Sequence, residues 1–315
     1  MATSELHAVM AGLDGQARSM IRSSLADIGF REVRPITEMD ALQQMSAIGA
    51  TDLIIMGFKF GDGDGLKYIK NLRLDRFGDR VNPYIPIVVT SWDAGSDPVY
   101  MAIGAGIDDL LVFPLPTGML VTRLTTLGTK RKPFIVTSDY IGPERRKDPN
   151  RASTIPYFTP PNAMAEKLEG KRVDPVEFRE RVTQARQELG AEKSRRDAFQ
   201  VAFMARVIAE DCEQSVDFDA LLPRLRHMAR VAQELDRRVG KFGGPNISEL
   251  IGTLTTVIQD VDAAPTATGV DRLIRLLEPV SQALVLLFRN DLDESALMRE
   301  ISDSVAVFRS RQRAG

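Results

Sequence analysis

The sequence predicts an α/β unit, a five-stranded parallel sheet doubly wound by helices on both faces, followed by an all-α domain. Three observations carry this reading. Over residues 6–128, short apolar runs alternate with stretches of helical period. The runs are continuously hydrophobic, as expected of strands covered from both sides. From Asn162 onward the helical periods continue without any convincing strand pattern.

The strand runs are His7–Ala11, Arg31–Ile36, Asp52–Met56, Ile85–Thr90 and Asp109–Phe113. Between and after them lie helical stretches at Gly15–Ile28, Glu38–Ile48, Gly65–Arg73, Asp97–Ala105 and Pro116–Leu127. Right-handed crossovers place any ligand at the carboxyl ends of the strands. Residues 129–161 are rich in proline, which removes backbone donors and disfavours helix in the residue before it, so they read as an extended connector. Their many aromatic and β-branched residues suit packing along the first domain or a partner better than a free tether. Asp174-Pro175-Val176-Glu177 is a helix start, with an N-cap acid, proline at the first helical position and a glutamate three residues after the cap. The helix it opens is expected to reach about Asp211, with Gly190 as a candidate break. Further helices are expected at Asp217–Val239, Ile247–Val261, Gly269–Asn290 and Glu294–Arg311. The division is therefore 1–128, 129–161 and 162–315, the last an interaction or dimerisation domain in which the long helix is the expected dimer element.

Composition narrows the function. The 315 residues carry 43% hydrophobic and 27% charged side chains, with a net charge of -2. That is an ordinary folded composition with room for two cores. One cysteine, Cys212, forms no internal disulfide, and two histidines, His7 and His227, make a zinc centre improbable. No apolar run approaches the roughly 20 residues a bilayer needs, and the N-terminus lacks a secretory pattern, so a cytoplasmic protein without membrane contact is expected. The basic stretch around Lys130–Lys132 and Arg145–Lys147 reads as a solvated linker before a nucleic-acid patch.

Ordered landmarks in the first 128 residues resemble the receiver domain of bacterial two-component response regulators, the CheY-like family of flavodoxin-like fold. Phe60, Gly61, Asp64 and Gly65 fall where receivers carry Met, Pro, Asp and Gly. Ala102–Leu115, AIGAGIDDLLVFPL, is similar to the family's AxxAGADDFLxKPL pattern, and Arg18 and the Gly29-Phe30 turn fall in register. The resemblance implies an acidic pair for a divalent cation at Gly12 and Leu13, with Asp14 beside it. It implies the phosphoacceptor at Gly57, the hydroxyl at Thr90, the lysine at Phe113 and the aromatic switch at Leu110. Only Thr90 keeps the family's residue type. Phosphoryl transfer to a carboxylate needs an acceptor and a hard cation on carboxylate ligands, so a degenerate pseudo-receiver is expected, with no enzyme activity, no cofactor and no metal.

Other motifs are weaker. Asp62 and Asp64 alternate as in a calcium loop, but the closing glutamate is replaced by Arg73. Gly12-Leu13-Asp14-Gly15 lacks dinucleotide spacing. His227 lacks the Lys-Gly pair that follows a phosphotransfer histidine, and Glu210 with Gln214 forms an acid-amide pair of a kind common on solvated helices. The expected function is a phosphorylation-independent adaptor or scaffold. Its expected partners are proteins: a histidine kinase, another response regulator or a chemotaxis or polarity component, with a homodimer as the assembly. Leu110, Leu111, Leu115 and Leu120 are the candidate contact surface. The alternatives are a phosphatase or phosphotransfer module acting on a partner receiver, or a transcriptional regulator.

Overall fold

The computed structural model describes residues 4–61, 63–145, 155–214, 218–239, 245–263, 270–289, 291 and 293–314. They fall into two compact units, Met1–Leu189 and Gly190–Gly315.

The first unit opens with β1 (Leu6–Ala11), α1 (Gly15–Ile28), β2 (Phe30–Ile36), α2 (Met39–Met45) and β3 (Leu53–Gly57). A two-residue hairpin follows, β4 (Lys59–Phe60) with β5 (Gly63–Asp64), and then α3 (Gly65–Arg73). The rhythm resumes with β6 (Ile87–Ser91), α4 (Ser96–Ala105), β7 (Asp109–Val112) and α5 (Thr117–Thr129). The five-stranded sheet is parallel throughout, in the order β2-β1-β3-β6-β7. This is the flavodoxin-like order, which puts the switch point between β1 and β3. The sheet is covered on both faces, and alternate residues of each strand enter different cores. Val9, Ile54, Met56 and Val89 pack with α2, α3 and α4, whereas Met10, Ile55 and Val88 pack with α1 and α5.

The expected boundary at residue 128 is corrected by the segment after α5. Residues 134–189 are not a connector with a helical domain beyond it; they belong to the first unit. A short hairpin, β8 (Phe134–Val136) with β9 (Ile141–Pro143), is joined by Phe158 bridging to Phe134. Helix α6 (Ala163–Leu168) then lies on α5, so close to Gly128 that a Cβ there would stand 2.2 Å from Leu168 Cδ1. The first turns of α7 (Pro175–Gln214) add Phe178, Val182, Ala185 and Leu189 to a core with Phe134, Val136, Ile141 and Tyr84. The apolar residues that make the segment unlike a free tether are the ones buried here. Residues 146–154 of the predicted connector lie outside the described residues.

The second unit is helical: the remainder of α7, α8 (Phe218–Val239), α9 (Pro245–Ala263), α10 (Val270–Phe288) and α11 (Glu294–Ala314). Helix α7 runs through Gly190 without the expected break. Its apolar residues here, Ala198, Val201, Ala202, Ala205 and Ile208, are buried with Leu225, Met228, Leu254, Ile274 and Leu284. A helix whose apolar stripe already faces its own bundle has little left for a coiled-coil seam, which removes the basis for expecting α7 to be the dimer element.

Candidate functional site

The carboxyl ends of β1, β3, β6 and β7 gather Gly12, Leu13, Asp14, Gly57, Thr90 and Phe113 in one place. Thr90 sits between its neighbours in the ladder, in register with Gly57 of β3 and Leu111 of β7, and is buried. The chain around it leaves no room for an acceptor carboxylate. A Cβ on Gly57 would lie 2.4 Å from the carbonyl oxygen of Gly12, far inside van der Waals contact. Gly12 itself has φ +63°, a left-handed conformation that favours glycine. A Cβ there would lie 2.3 Å from the Lys59 carbonyl oxygen. The two glycines thus allow the first and third loops to close on each other through backbone.

The remaining walls are apolar. Leu13 and Phe113 are buried in one cluster with Ala17, Ile21, Leu111 and Leu120. The indole of Trp92, half exposed, lies over Phe113 with ring centroids 5.2 Å apart. Asp14 is an acid beside the pocket, and its oxygens are engaged. Oδ1 caps α1, accepting from the amides of Gln16 and Ala17 at 2.9 Å, and Oδ2 accepts from Trp92 Nε1 at 2.7 Å. The Ala17 amide first, and then the indole, hold this carboxyl below the usual aspartate range. Arg18 secures the loop by donating to the Leu13 carbonyl at 2.9 Å. These donors do not fit a divalent cation, because Gly12, Leu13 and Gly57 bring no carboxylate and Asp14 is committed to a cap and an indole. Sequence reasoning misses Trp92; its only signal is an aromatic two residues beyond Thr90.

The leucine surface needs correction. Leu111 and Leu120 are fully buried in the core beneath α5, Leu115 is half-buried against that core, and Leu110 is half-buried against the core on the opposite face. Strand β7 has a helix on each face, so its leucines point into the two cores. The large apolar side chains open to solvent near that edge are Tyr100 and Met101 on α4 and Met119 on α5.

The amino ends of the strands hold a second constellation. Arg73 is buried, donates to the carbonyls of Pro83, Ile85 and Gly106, and pairs with Asp108 at 2.9 Å. Arg131 pairs with the same carboxylate at 2.7 Å, and Asp108 also accepts from the Ile87 amide. Burial alone would raise the Asp108 carboxyl, but the guanidiniums of Arg131 and Arg73 hold it below the usual range. Burial pushes Arg73 down to about 10, still a cation at neutral pH. The ring of Phe134 lies against both guanidiniums, 5.2 and 4.9 Å from its centroid. Lys167 of α6 pairs with buried Asp52 at 2.9 Å, and Arg186 of α7 donates to the Val81 carbonyl at 2.6 Å and pairs with Asp75.

Asp64 caps α3 through the amides of Leu66 and Lys67, and Asp62 lies outside the described residues. In the second unit, half-buried His227 meets Gln200 at 3.4 Å. Glu210 is bound to Arg206 at 3.0 Å, while the side chain of Gln214 is outside the described set. Among the described residues no three metal-ligating side chains cluster, and no helix is long and apolar enough to cross a membrane.

No protein-family model matches the chain. Among characterised proteins, chemotaxis protein CheY1 of Helicobacter pylori J99 is 27% identical over 115 residues, which is 36% of this chain and 89% of CheY1. The KDP operon transcriptional regulatory protein KdpE of Escherichia coli K12 is 33% identical over 115 residues, 35% of this chain and 46% of KdpE. Similar solved structures include a two-component response regulator from Clostridium difficile, 20% identical, covering 39% of this chain and 95% of that one, TM-score 0.33. Chemotaxis response regulator CheY4 of Vibrio cholerae is 18% identical and covers 39% of this chain and 98% of its own, TM-score 0.33.

Proposed function

We propose that the CheY-like receiver domain forming the N-terminal part of this chain serves two-component signalling as a phosphorylation-independent adaptor. It would present a fixed α/β surface to protein partners and catalyse nothing. One observation carries the reading: the Gly12 carbonyl oxygen stands 2.4 Å from where an acceptor side chain at Gly57 would begin. The site is closed by backbone, and its walls, Leu13 and Phe113 under Trp92, are apolar where a phosphoryl dianion would need cations and donors. The partners that suit the fold are a histidine kinase, a phosphorylatable response regulator or a component of a chemotaxis or polarity system. Tyr100, Met101 and Met119 are the exposed apolar residues through which such a contact, or a homodimer, would be made. No specific observation favours phosphatase or phosphotransfer chemistry in the helical unit, where Glu210 is bound to Arg206.

The direct experiment incubates the full chain with acetyl phosphate and magnesium and examines it by intact-mass spectrometry. The expected result is no adduct on residues 1–128. An acyl-phosphate there would overturn the proposal.

A further inference from the structure

The amino end of the sheet carries a cleft that the receiver reading does not use. Its volume is about 220 Å³, and it lies between the last turns of α5, the start of β7 and the end of the β8–β9 hairpin. Five cations line it, Arg123, Lys130, Arg131, Lys132 and Arg145, against two carboxylates, Asp108 and Asp109.

Both carboxylates are neutralised. Asp108 is shared by Arg131 and by Arg73 beneath it, and Asp109 is held by the fork of Arg123 and by the Leu110 amide. The positive charge that remains sits on Lys130, Lys132 and Arg145. Among the described residues the two exposed lysines have no ion-pair partner. Arg145 donates one terminal N–H to the Ile107 carbonyl, but its buried Nε meets no acceptor. Lys130 follows the last residue of α5 and so complements the helix dipole. That accounts for one cation; it leaves a second lysine and the guanidinium of Arg145 at the same concavity.

We infer that this cleft binds a small phosphate-bearing anion, with Lys130, Lys132 and Arg145 as its cationic ligands. A phosphate group offers several strong acceptor oxygens and up to two negative charges, which matches two ammonium groups and a guanidinium lining one concavity. The volume admits a phosphate with a small organic substituent and is below the usual range for drug-sized ligands. A concave pocket on a chain of net charge -2 favours a compact ligand over a nucleic-acid backbone. The site lies at the opposite end of the sheet from the family's phosphorylation pocket, so ligand binding here needs none of the residues lost there.

The test is isothermal titration of the full chain with inorganic pyrophosphate at low and physiological salt. Saturable one-to-one binding is expected, weakened at least about tenfold in the Lys130→Ala/Lys132→Ala double variant. Both lysines are exposed, so that variant keeps the fold. A control with two exposed lysines of α3 replaced, Lys67→Ala/Lys70→Ala, is expected to bind as the parent does. Absence of saturable binding, or an equal loss in the control, overturns the inference. So does a DNA duplex that binds more tightly per phosphate than pyrophosphate at the same lysines, because the surface would then read a polymer.

Discussion

The two ends of one parallel sheet have opposite chemistry. At the carboxyl end, where doubly wound sheets bind their ligands, two glycines, a leucine and a phenylalanine stand beside Asp14, and Leu13 and Phe113 are buried in an apolar cluster. At the amino end, Arg73, Asp108, Arg131, Asp52, Lys167 and Arg186 form buried ion pairs that tie the sheet to the segment added after α5. The difference teaches that the packing that holds this sheet together and the chemistry at its ligand end are separable. The first is done by the cores and the amino-end network, so the residues at the carboxyl end can change without the fold being lost. The added segment also explains why the amino end is so well fastened: β8, β9, α6 and the start of α7 pack on Ile48, Leu74 and Tyr84.

The largest expected effect lies in that network. Asp108→Ala leaves two guanidiniums of the amino end without their shared carboxylate, and removing one member of a buried ion pair costs about 3–5 kcal/mol. Trp92, the single tryptophan of the chain, reports unfolding of the first unit selectively in urea. A loss below about 1 kcal/mol would mean that the amino end is not the mainstay claimed here.

Gly57→Asp tests the opposite end. It forces a Cβ against the Gly12 carbonyl and puts a carboxylate among apolar walls, at a cost of about 3 kcal/mol. Acetyl phosphate with magnesium is expected to leave the variant unmodified, since the cation ligands and the lysine are still missing. Phosphorylation of the introduced carboxylate would show that only the acceptor had been lost.

A smaller effect tests the added segment. In Gly128→Ala the new methyl meets Leu168, and the overpacking of about 1–2 kcal/mol is offset by alanine's helix preference of about 1 kcal/mol. Pairing it with Leu168→Ala removes the clash, so the double variant is expected to lose less than the sum of the two single variants in the same urea assay. Strict additivity would place α6 away from Gly128.

What the sequence could disclose follows from the range of the forces involved. The five strands and helices α1, α3, α4 and α5 were legible to within a residue or two, because continuous apolar runs and helical periods are local signals. The apolar residue types at the carboxyl ends of the strands, Leu13 and Phe113 beside two glycines, were also legible in the sequence. The buried state of Leu111 and Leu120 was not: an apolar residue on a strand flanked by helices could face either way until the packing is known. The boundary at 189 was hidden for a similar reason. Proline and basic residues dominate the local reading of 129–161, while the contacts that fold Phe134, Phe158 and Phe178 onto Tyr84 are between residues far apart in sequence. Lys167 and Asp52, 115 positions apart, gave no sign of each other.

The smallest effect is a titration at the carboxyl end. Asp14 keeps a depressed pKa while it caps α1 and accepts from Trp92, so its charged form is favoured by folding. The sign follows from linkage: a carboxyl whose folded value is lowered contributes above its unfolded value, near 3.9, and that contribution fades as pH falls through the folded value. Trp92 emission is therefore expected to hold steady from pH 7 to about 4 and to change only below it, when Asp14 is protonated and the indole loses its carboxylate acceptor. Asp14→Asn keeps an N-cap oxygen and removes the titration, so its emission should be flat over the same interval. A parent transition centred well above pH 4, or one that survives in Asp14→Asn, would mean that another group governs the tryptophan and that the acid beside the pocket is not engaged as described.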